Sequence, residues 1–190
     1  LRTEGHHPGC THGLVAALHD AGGTLVWSPE FEYEDITKNW LSPQTGIPYG
    51  ISSLKVTDKM QGYANTKALK DYNAEKGDIV PKLRVLPIDL IGTYATAHPA
   101  PANSSGWYWP SVMELEYMCW GQNNSKGVAG RDMLNTQLGK VGRPSLQSYY
   151  YWSSTEYISD RAWPVDFNNG NVDNFSKYRT WCIVRAVLAF

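Results

Sequence analysis

The sequence lacks the long hydrophobic stretches that mark membrane proteins. It holds no run of about 18 apolar residues that could cross a bilayer, and its first ten residues, LRTEGHHPGC, include no apolar signal-peptide core. We therefore expect no direct insertion into a membrane. The chain begins with Leu rather than Met, and so we expect it to be a processed or excised piece of a longer protein.

An excess of charge of one sign is also missing. Lys and Arg number 17 and Asp and Glu number 18, which gives a formal net charge of -1. Without a positive field that gathers phosphates, binding to nucleic acid is not expected.

Cysteines are few, and the common catalytic motifs are absent. Cys10, Cys119 and Cys182 are widely spaced, which allows one disulfide and one thiol but not a disulfide framework. No Gly-x-Ser-x-Gly elbow, phosphate-binding loop or dinucleotide fingerprint is present. We predict that the protein is not an enzyme, although catalysis by residues scattered through the fold stays open.

Two groups of residues carry metal-ligand chemistry, but neither has the spacing of a known site. His6, His7, Cys10 and His12 can bind zinc, and their spacing matches no standard tetrahedral site. Asp160, Asp166 and Asp173 offer oxygen ligands, whereas calcium needs six to eight of them in one place. We predict no metal and no cofactor.

Aromatic residues with a polar group are abundant. The chain has 8 Trp and 12 Tyr against 4 Phe. Such rings suit half-exposed surfaces and binding sites as well as cores. They concentrate, together with Asn, Asp and Gly, in the stretch YYYWSSTEYISDRAWPVDFNNGNVDNF at residues 149–175.

Helix signals occur in the middle of the chain. Residues 63–78, YANTKALKDYNAEKGD, place Ala64, Ala68, Leu69 and Tyr72 on one helical face, with Gly77 as a terminator. Ser111 and Glu114 have the spacing of a capping box after Pro110. A further short helix is predicted at 128–138.

Strand and loop signals occupy the rest. HGLVAALHDAGGTLVWSP predicts two strands joined by a hairpin-like link, and residues 30–62 predict a long irregular segment. Glu30, Glu32 and Glu34 alternate as on a solvated strand edge. Prolines at 81, 87, 99 and 101 favour extended loops.

The last third of the chain predicts a sheet. Trp163, Val165 and Phe167 alternate with Ala162, Pro164, Asp166 and Asn168, which predicts one face toward the core and one toward solvent. The NNGN run at 168–171 predicts a hairpin turn, and WCIVRAVLAF predicts a buried final strand. Together these signals predict an α+β fold with a mixed or antiparallel sheet, two to three helices and long irregular loops, in a single domain over 1–190.

The chain resembles a bacterial group within the C-type-lectin-like superfamily, many of whose members are surface adhesins. The resemblance rests on GWYWPSVMELEYM, then YWSSTEY, AWPVDFNNGNV, a Lys and VRAVLAF, with HGLVAAL and GYANTKALKDYN upstream. It covers residues 12–28, 62–76 and most of 105–190, and leaves 29–61 and 78–104 unmatched. The Glu-Pro-Asn, Gln-Pro-Asp and Trp-Asn-Asp triplets of calcium-dependent lectins are absent.

The resemblance implies a C-type-lectin-like fold in which the N- and C-terminal strands pair, helices lie outside, and a late ribbon of sheet carries the ligand site. One subset consists of the variable proteins of diversity-generating retroelements. In these proteins adenine-specific mutagenesis changes codons of the ribbon, usually asparagine codons. This sequence has Asn168, Asn169, Asn171 and Asn174 close together in the ribbon. The residues expected to fix the ribbon from its core side are Trp152, Trp163, Val165, Phe167, Val184 and Val187.

We name residues 157–182 the ribbon and, on this resemblance, predict that its outward side chains form a surface diversified by such a retroelement. This surface is expected to bind a protein or glycan ligand at the cell surface or on a phage particle. The candidate binding residues are Tyr157, Ser159, Asp160, Arg161, Asp166, Asn168, Asn169, Asn171, Asp173, Asn174, Tyr178 and Thr180. Trp107, Trp109 and Trp152 are expected in packing, and Trp120 and Trp181 near the site. The alternatives are a fixed-specificity glycan-binding adhesin, and a protein-modifying enzyme that would need Cys182 or a metal.

Overall fold

The structure is a computed structural model, and it describes residues 9–10, 12–29, 34–41, 60–123, 125–178 and 180–190. These residues form an α+β arrangement with four α-helices and five short strands. The predicted α+β class is confirmed, while the prediction of two to three helices is too low. None of the helices in these ranges is long and apolar enough to cross a bilayer.

The first helix follows its sequence signal. Helix α1 spans Gly62–Tyr72 and continues as a π-helical turn over Asn73–Gly77, so that it ends at the predicted glycine. Ala64, Ala68 and Leu69 on its predicted inner face are fully buried.

The second helix corrects the prediction of extended loops in the proline-rich segment. Helix α2 spans Leu86–Ala97, and Pro87 lies in its first turn, where the missing N–H has no intrahelical partner to lose. Ile88, Ile91 and Tyr94 recur at helical spacing and are buried. The number of prolines in the segment predicted loops wrongly, because a proline in the first turn of a helix does not disrupt the helix.

The third and fourth helices lie close to their predicted positions. Helix α3 spans Val112–Trp120 and begins with the capping box, in which the Ser111 backbone N–H donates to Glu114 Oε2 at 2.6 Å. Helix α4 spans Ala129–Lys140, against a predicted 128–138.

The chain ends pair with each other. Strand β1 is Leu14–Ala16 and pairs antiparallel with strand β5, Val187–Ala189, as the resemblance implies. The predicted hairpin at the N-terminus is wrong, because Leu25 bridges to Cys182 instead of to β1. Both N-terminal apolar runs are hydrogen-bonded to the final segment of the chain, whose residues from Cys182 to Ala189 are buried.

The ribbon belongs to a second sheet of three antiparallel strands. Its order is β2, Tyr150–Ile158, then β3, Arg161–Asp166, then β4, Phe175–Ser176. On the other edge of β2, Tyr151 forms a parallel bridge with Ile183, which ties this sheet to the final segment of the chain.

Two hydrophobic clusters lie on the two sides of this sheet. Trp27, Trp109, Trp152, Ala162 and Val184 belong to one cluster, together with the inner faces of α1 and α2. The other cluster, which α3 borders, contains Tyr151, Val165, Phe167, Ile183 and Val187. Both faces of the sheet are therefore covered.

The predicted alternation of core and solvent faces along β3 is wrong. Ala162, Pro164 and Asp166 are buried although they were expected to face solvent, and Trp163 is only partly buried although it was expected in the core. A strand between two clusters has no free face, so alternation cannot report exposure. The other residues expected on the core side, Trp152, Val165, Phe167, Val184 and Val187, are fully buried.

The segment expected to be irregular contains a six-residue π-helix at Ile36–Leu41. Residues 42–59 lie outside the described residues, as do Glu30 and Glu32 of the predicted acidic edge. The three cysteines are all buried and form no disulfide.

Candidate ligand-binding surface

A tight turn joins β3 to the returning chain at the predicted position. The Gly170 N–H donates to the Asp166 carbonyl at 2.7 Å, and the Asp166 N–H donates to the Asn171 carbonyl at 2.8 Å. Gly170 has a φ of 78°, which favours glycine. A Cβ at this position would overlap the Gly127 carbonyl oxygen, so the turn needs glycine for space as well.

Helix α3 fixes this turn. The Trp120 indole Nε1 donates to the Gly170 carbonyl at 2.8 Å, and the Cys119 thiol lies 3.8 Å from the Asp166 carbonyl oxygen. Trp120 was expected near the site, and its contact with Gly170 places it beneath the turn.

Asp166 corrects one residue of the candidate set. Its side chain was expected to face outward, but the residue is only 5% exposed. The carboxylate Oδ1 accepts the Asn168 N–H at 2.8 Å. Asp166 therefore shapes the turn from within, as Asp side chains do by accepting a backbone N–H two residues on.

The opposite end of the ribbon, where β2 turns into β3, carries exposed and charged side chains. Tyr157 is 37% exposed, and its ring packs edge-on against Trp163 with centroids 4.8 Å apart. Arg161 Nη1 donates to the backbone carbonyl and side-chain Oδ1 of Asn174 at 3.1 and 3.0 Å. These contacts link β2, β3 and the segment before β4.

A buried ion pair holds this end of the ribbon. Lys177 Nζ donates to Glu156 Oε1 at 2.6 Å and to the Ser159 carbonyl at 2.9 Å, and both charged side chains are buried. The Lys177 amine also lies 4.8 Å from the centroid of the Trp27 ring. Burial lowers the pKa of Lys177, although the Glu156 carboxylate favours its charged form.

The same carboxylate fixes the start of the π-helix. Glu156 accepts the N–H groups of Ile36 and Thr37 at 3.0 and 2.8 Å and the Thr37 hydroxyl at 2.5 Å. We call Lys177, Glu156 and Thr37 the clamp. It joins β2, the segment after β4 and the N-terminal part of the chain.

Sequence reasoning missed the clamp. Its members are separated by 21 and 119 residues, so no local spacing marks them. Glu156 also lies just before the predicted ribbon, outside the residues for which a buried or an exposed face was predicted. The one signal was the Lys that forms part of the resemblance, which was not assigned a role.

The structure places the candidate residues at three levels of exposure. The exposed ones are Tyr157, Arg161, Asn168 and Asn169. The partly buried ones are Ser159, Asp160, Asn171, Asp173, Asn174, Tyr178 and Thr180. Asp166 alone of the twelve is buried.

These residues form two groups rather than one pocket. Tyr157, Arg161 and Asn174 lie at the start of β3, whereas Asn168 and Asn169 lie beyond its end. A six-residue strand spans about 17 Å, so one small ligand cannot contact both groups. The arrangement suits a broad contact with a macromolecule or an extended glycan.

Trp181 adds a large aromatic side chain at the end of the ribbon. It is 58% exposed, whereas Trp109 and Trp152 are fully buried, in agreement with their expected packing role. Trp107 packs against the core and donates to the His98 carbonyl at 2.7 Å. Exposed Trp side chains are frequent anchors of binding interfaces.

Metal and thiol chemistry find little support in the described ranges. No three His, Cys, Asp or Glu side chains there come together as a metal site, and His6 and His7 lie outside those ranges. Burial raises the pKa of the Cys182 thiol, and burial likewise raises that of Cys119 to about 12. A thiolate nucleophile needs the opposite shift.

A solved structure shares the fold of this chain. The chain superposes on a crystal structure of a fimbrial protein from Bacteroides ovatus with a TM-score of 0.75 at 23% identity, covering 97% of this chain and 37% of that one. The two chains share a fold over nearly the whole length described here. No protein-family model matches the chain.

One curated protein is similar in sequence. It is the Bacteroides ovatus protein named "Putative fimbrium tip subunit Fim1C", which is 26% identical over 172 residues, or 85% of this chain and 30% of the relative. The chain spans about a third of the length of each of these two proteins.

Proposed function

We propose that the chain is a single ligand-binding domain of the C-type-lectin-like kind that acts as an adhesin at a bacterial surface. The paired N- and C-terminal strands and the late ribbon support the C-type-lectin-like interpretation, because the resemblance implies both. The names of the two Bacteroides ovatus proteins support an adhesin on a surface fibre.

The observation that carries this proposal is a fixed ribbon with an outward polar and aromatic surface. The clamp holds one end and Trp120 holds the other, while Tyr157, Arg161 and Trp181 stay accessible. A surface that is already ordered loses little conformational entropy when it binds. The side-chain types also fit, since Tyr, Trp and Arg dominate binding energy and Asn adapts its hydrogen bonds.

The proposed binding surface differs from the sequence prediction at two positions, since Asp166 is removed and Trp181 is added. It consists of Tyr157, Ser159, Asp160, Arg161, Asn168, Asn169, Asn171, Asp173, Asn174, Tyr178, Thr180 and Trp181. The partner is a protein or glycan on another surface, and we assign no cofactor.

The experiment that tests this function is a binding screen on glycan and protein arrays with two forms of the domain. One is the wild type, and the other carries Tyr157→Ala, Arg161→Ala and Trp181→Ala together. We expect the wild type to bind a defined subset of targets and the triple variant, with an unchanged circular dichroism spectrum, to lose them. Targets bound equally by both forms would place the binding surface elsewhere.

A diversified form of this function is the second candidate. The observation that favours it is that Asn168 and Asn169 are exposed at the tip of a rigid turn, where substitutions remove little packing. At Asn169 a substitution removes only the hydrogen bond that its Oδ1 accepts from the Asn171 N–H. Deep sequencing of the 3′ end of the gene tests it, with a search of adjacent DNA for a near-copy. Substitutions confined to adenine-bearing codons of the ribbon support diversification, whereas an invariant region without a copy leaves a fixed-specificity adhesin.

A further inference from the structure

A cleft of about 580 Å³ lies away from the ribbon, between α1 with its π-helical turn and α2. Seven of its lining residues come from residues 78–104, which the family resemblance does not match, among them Asp78, Arg84, Asp89, Gly92, Thr93 and Thr96. The volume falls in the range of small-molecule sites. The cleft is therefore a feature of this chain that the ribbon function does not explain.

A fixed set of carboxylates lines the cleft. Arg84 binds Asp89 through two parallel contacts, Nε to Oδ2 at 2.6 Å and Nη2 to Oδ1 at 2.7 Å, and its Nη1 pairs with Asp78. These contacts raise the pKa of the Arg84 guanidinium, so the group stays charged. Both Asp side chains remain well exposed, and each oxygen keeps a lone pair for a ligand. The bidentate pairing holds these acceptors in place.

The wall formed by α2 is open and carries hydroxyl groups. Thr93 and Thr96 donate to the backbone carbonyls of Asp89 and Gly92, both at 3.0 Å, which leaves their oxygens free to accept. A Cβ built on Gly92 would meet no atom within 4 Å, so the wall at this position is bare backbone. Ile88 also lines the cleft, although its side chain is largely buried in the core.

The charges of the cleft cancel. Asp78 and Asp89 are balanced by Arg84 and by Lys70 on the α1 side, so two negative and two positive groups line the space. A strongly charged ligand gains no net attraction from such a set. A neutral ligand rich in hydroxyl groups can donate to the carboxylates and accept from the Lys70 ammonium.

We propose that this cleft binds a neutral saccharide through hydroxyl groups that donate to Asp78 and Asp89. The site is separate from the ribbon and does not depend on the function proposed for it. Its position on α2 gives the domain a second point of contact with glycosylated material.

The cleft offers a test that leaves its charged residues untouched. Phenylalanine at position 92 would fill the space, and the open surroundings of Gly92 allow it. Gly92→Ala adds only one methyl group and serves as the first control. Gly139→Phe is the matched second control, since Gly139 also lies in a helix, α4, with no atom within 4 Å of its Cβ position.

The measurement is a titration of the ¹⁵N-labelled domain with the methyl glycosides of glucose, galactose, mannose, fucose and N-acetylglucosamine, each to about 20 mM, where a Kd of about 1 mM gives near saturation. We expect at least one glycoside to shift the amide signals of Gly92, Thr93 and Thr96. Gly92→Phe should weaken that binding by more than about tenfold, and the two controls by less than about twofold. Thr96→Arg, which narrows the cleft from its rim, should weaken it as well.

The proposal is overturned if no glycoside shifts the α2 signals, or if the shifts persist in Gly92→Phe. Shifts confined to the ribbon would also overturn it, while supporting glycan binding there. Because the triple ribbon variant keeps this cleft, loss of array binding in that variant and loss of cleft binding in Gly92→Phe are independent results.

Discussion

Lys177 holds one end of the ribbon through a buried ion pair and backbone hydrogen bonds. It is buried, and its ammonium group contacts Glu156, two backbone carbonyls and the Trp27 ring. A buried charge in such a place is tolerated because every hydrogen of the ammonium group has an acceptor. We therefore expect the geometry of this end of the ribbon to depend on Lys177.

Lys177→Met should reduce the free energy of unfolding by about 3–5 kcal/mol, because Glu156 would be left as an unpaired buried charge. Urea denaturation monitored by tryptophan fluorescence measures the change. The double variant Lys177→Met with Glu156→Gln should recover part of the loss, since it leaves no buried charge and its one amide oxygen can still accept the Thr37 N–H. If Lys177→Met were as stable as the wild type, the clamp would not hold the ribbon.

Asp166 is buried and Trp163 is only partly buried, which is the reverse of what strand alternation predicts. Asp166→Ala should cost about 1 kcal/mol because the Asn168 N–H loses its acceptor, while Asp166→Asn keeps it. Trp163→Ala should cost less than the roughly 3–5 kcal/mol typical of a buried aromatic, because its ring is partly exposed. Thermal unfolding of the three variants compares them. A negligible loss for Asp166→Ala would restore the outward placement.

Among the elements, the turn between β3 and the chain that follows is the most constrained. Gly170→Ala should destabilise the domain by at least about 2 kcal/mol, because a Cβ meets the Gly127 backbone and φ is positive. Gly139→Ala in α4 is the control and should stabilise by up to about 1 kcal/mol, as expected for an open helical glycine. Equal midpoints in urea for both variants would contradict the packing of the turn against Gly127 and Trp120.

Helix α3 should give the domain a dependence on pH. Burial raises the pKa of Glu116 from 4.5 to about 7, so the folded state binds a proton more tightly than the unfolded state. Stability from this group is full below pH 4.5 and is lost as pH rises through 7. Glu114, whose burial raises its pKa to about 6, acts in the same direction.

Glu116→Gln tests this dependence. Relative to wild type, the variant should gain about 1 kcal/mol on going from pH 5 to pH 8, a value reduced from the full shift to allow for solvent screening. Urea unfolding at the two pH values measures the difference. Parallel pH profiles for the two proteins would show that Glu116 ionises as freely in the folded state as in the unfolded one.

Local signals in the sequence located several elements well. The faces of α1, the capping box of α3 and the NNGN turn were predictable because each depends on residues within one or two turns of chain. Helix α2 was not, because a proline count says nothing about which turn holds the proline. The predicted solvent face of β3 was wrong because distant segments of the chain pack against both faces of its sheet.

At the scale of the whole molecule, long-range contacts between the chain ends organise the fold. Arg185 is buried and donates through Nε to the Ala17 carbonyl and through Nη1 to Asp20, both at 2.9 Å. Tyr151 of β2 donates to the same Asp20 carboxylate at 3.1 Å. The N-terminal segment, the final segment and the ribbon sheet therefore meet at one carboxylate.

These contacts explain why the exposure of the candidate site residues was only partly predictable. The resemblance supplied the pairing of β1 with β5 and the position of the ribbon, and most candidate residues have exposed or partly exposed side chains. Asp166 was misplaced, and Trp181 was left out of the set, because exposure depends on packing between segments far apart in sequence. The α1–α2 cleft was invisible for the same reason.

The most direct test of the ribbon as the ligand surface is the affinity of one pair of arginine variants for a target found on the arrays. Arg161 lies on the ribbon and Arg143 is an exposed arginine after α4. Measured by surface plasmon resonance, Arg161→Ala should raise Kd by about tenfold or more, as for an interface arginine that contributes over 1 kcal/mol, and Arg143→Ala should leave Kd unchanged. Equal affinities for Arg161→Ala and wild type, or a loss in Arg143→Ala instead, would contradict the assignment of the binding surface to the ribbon.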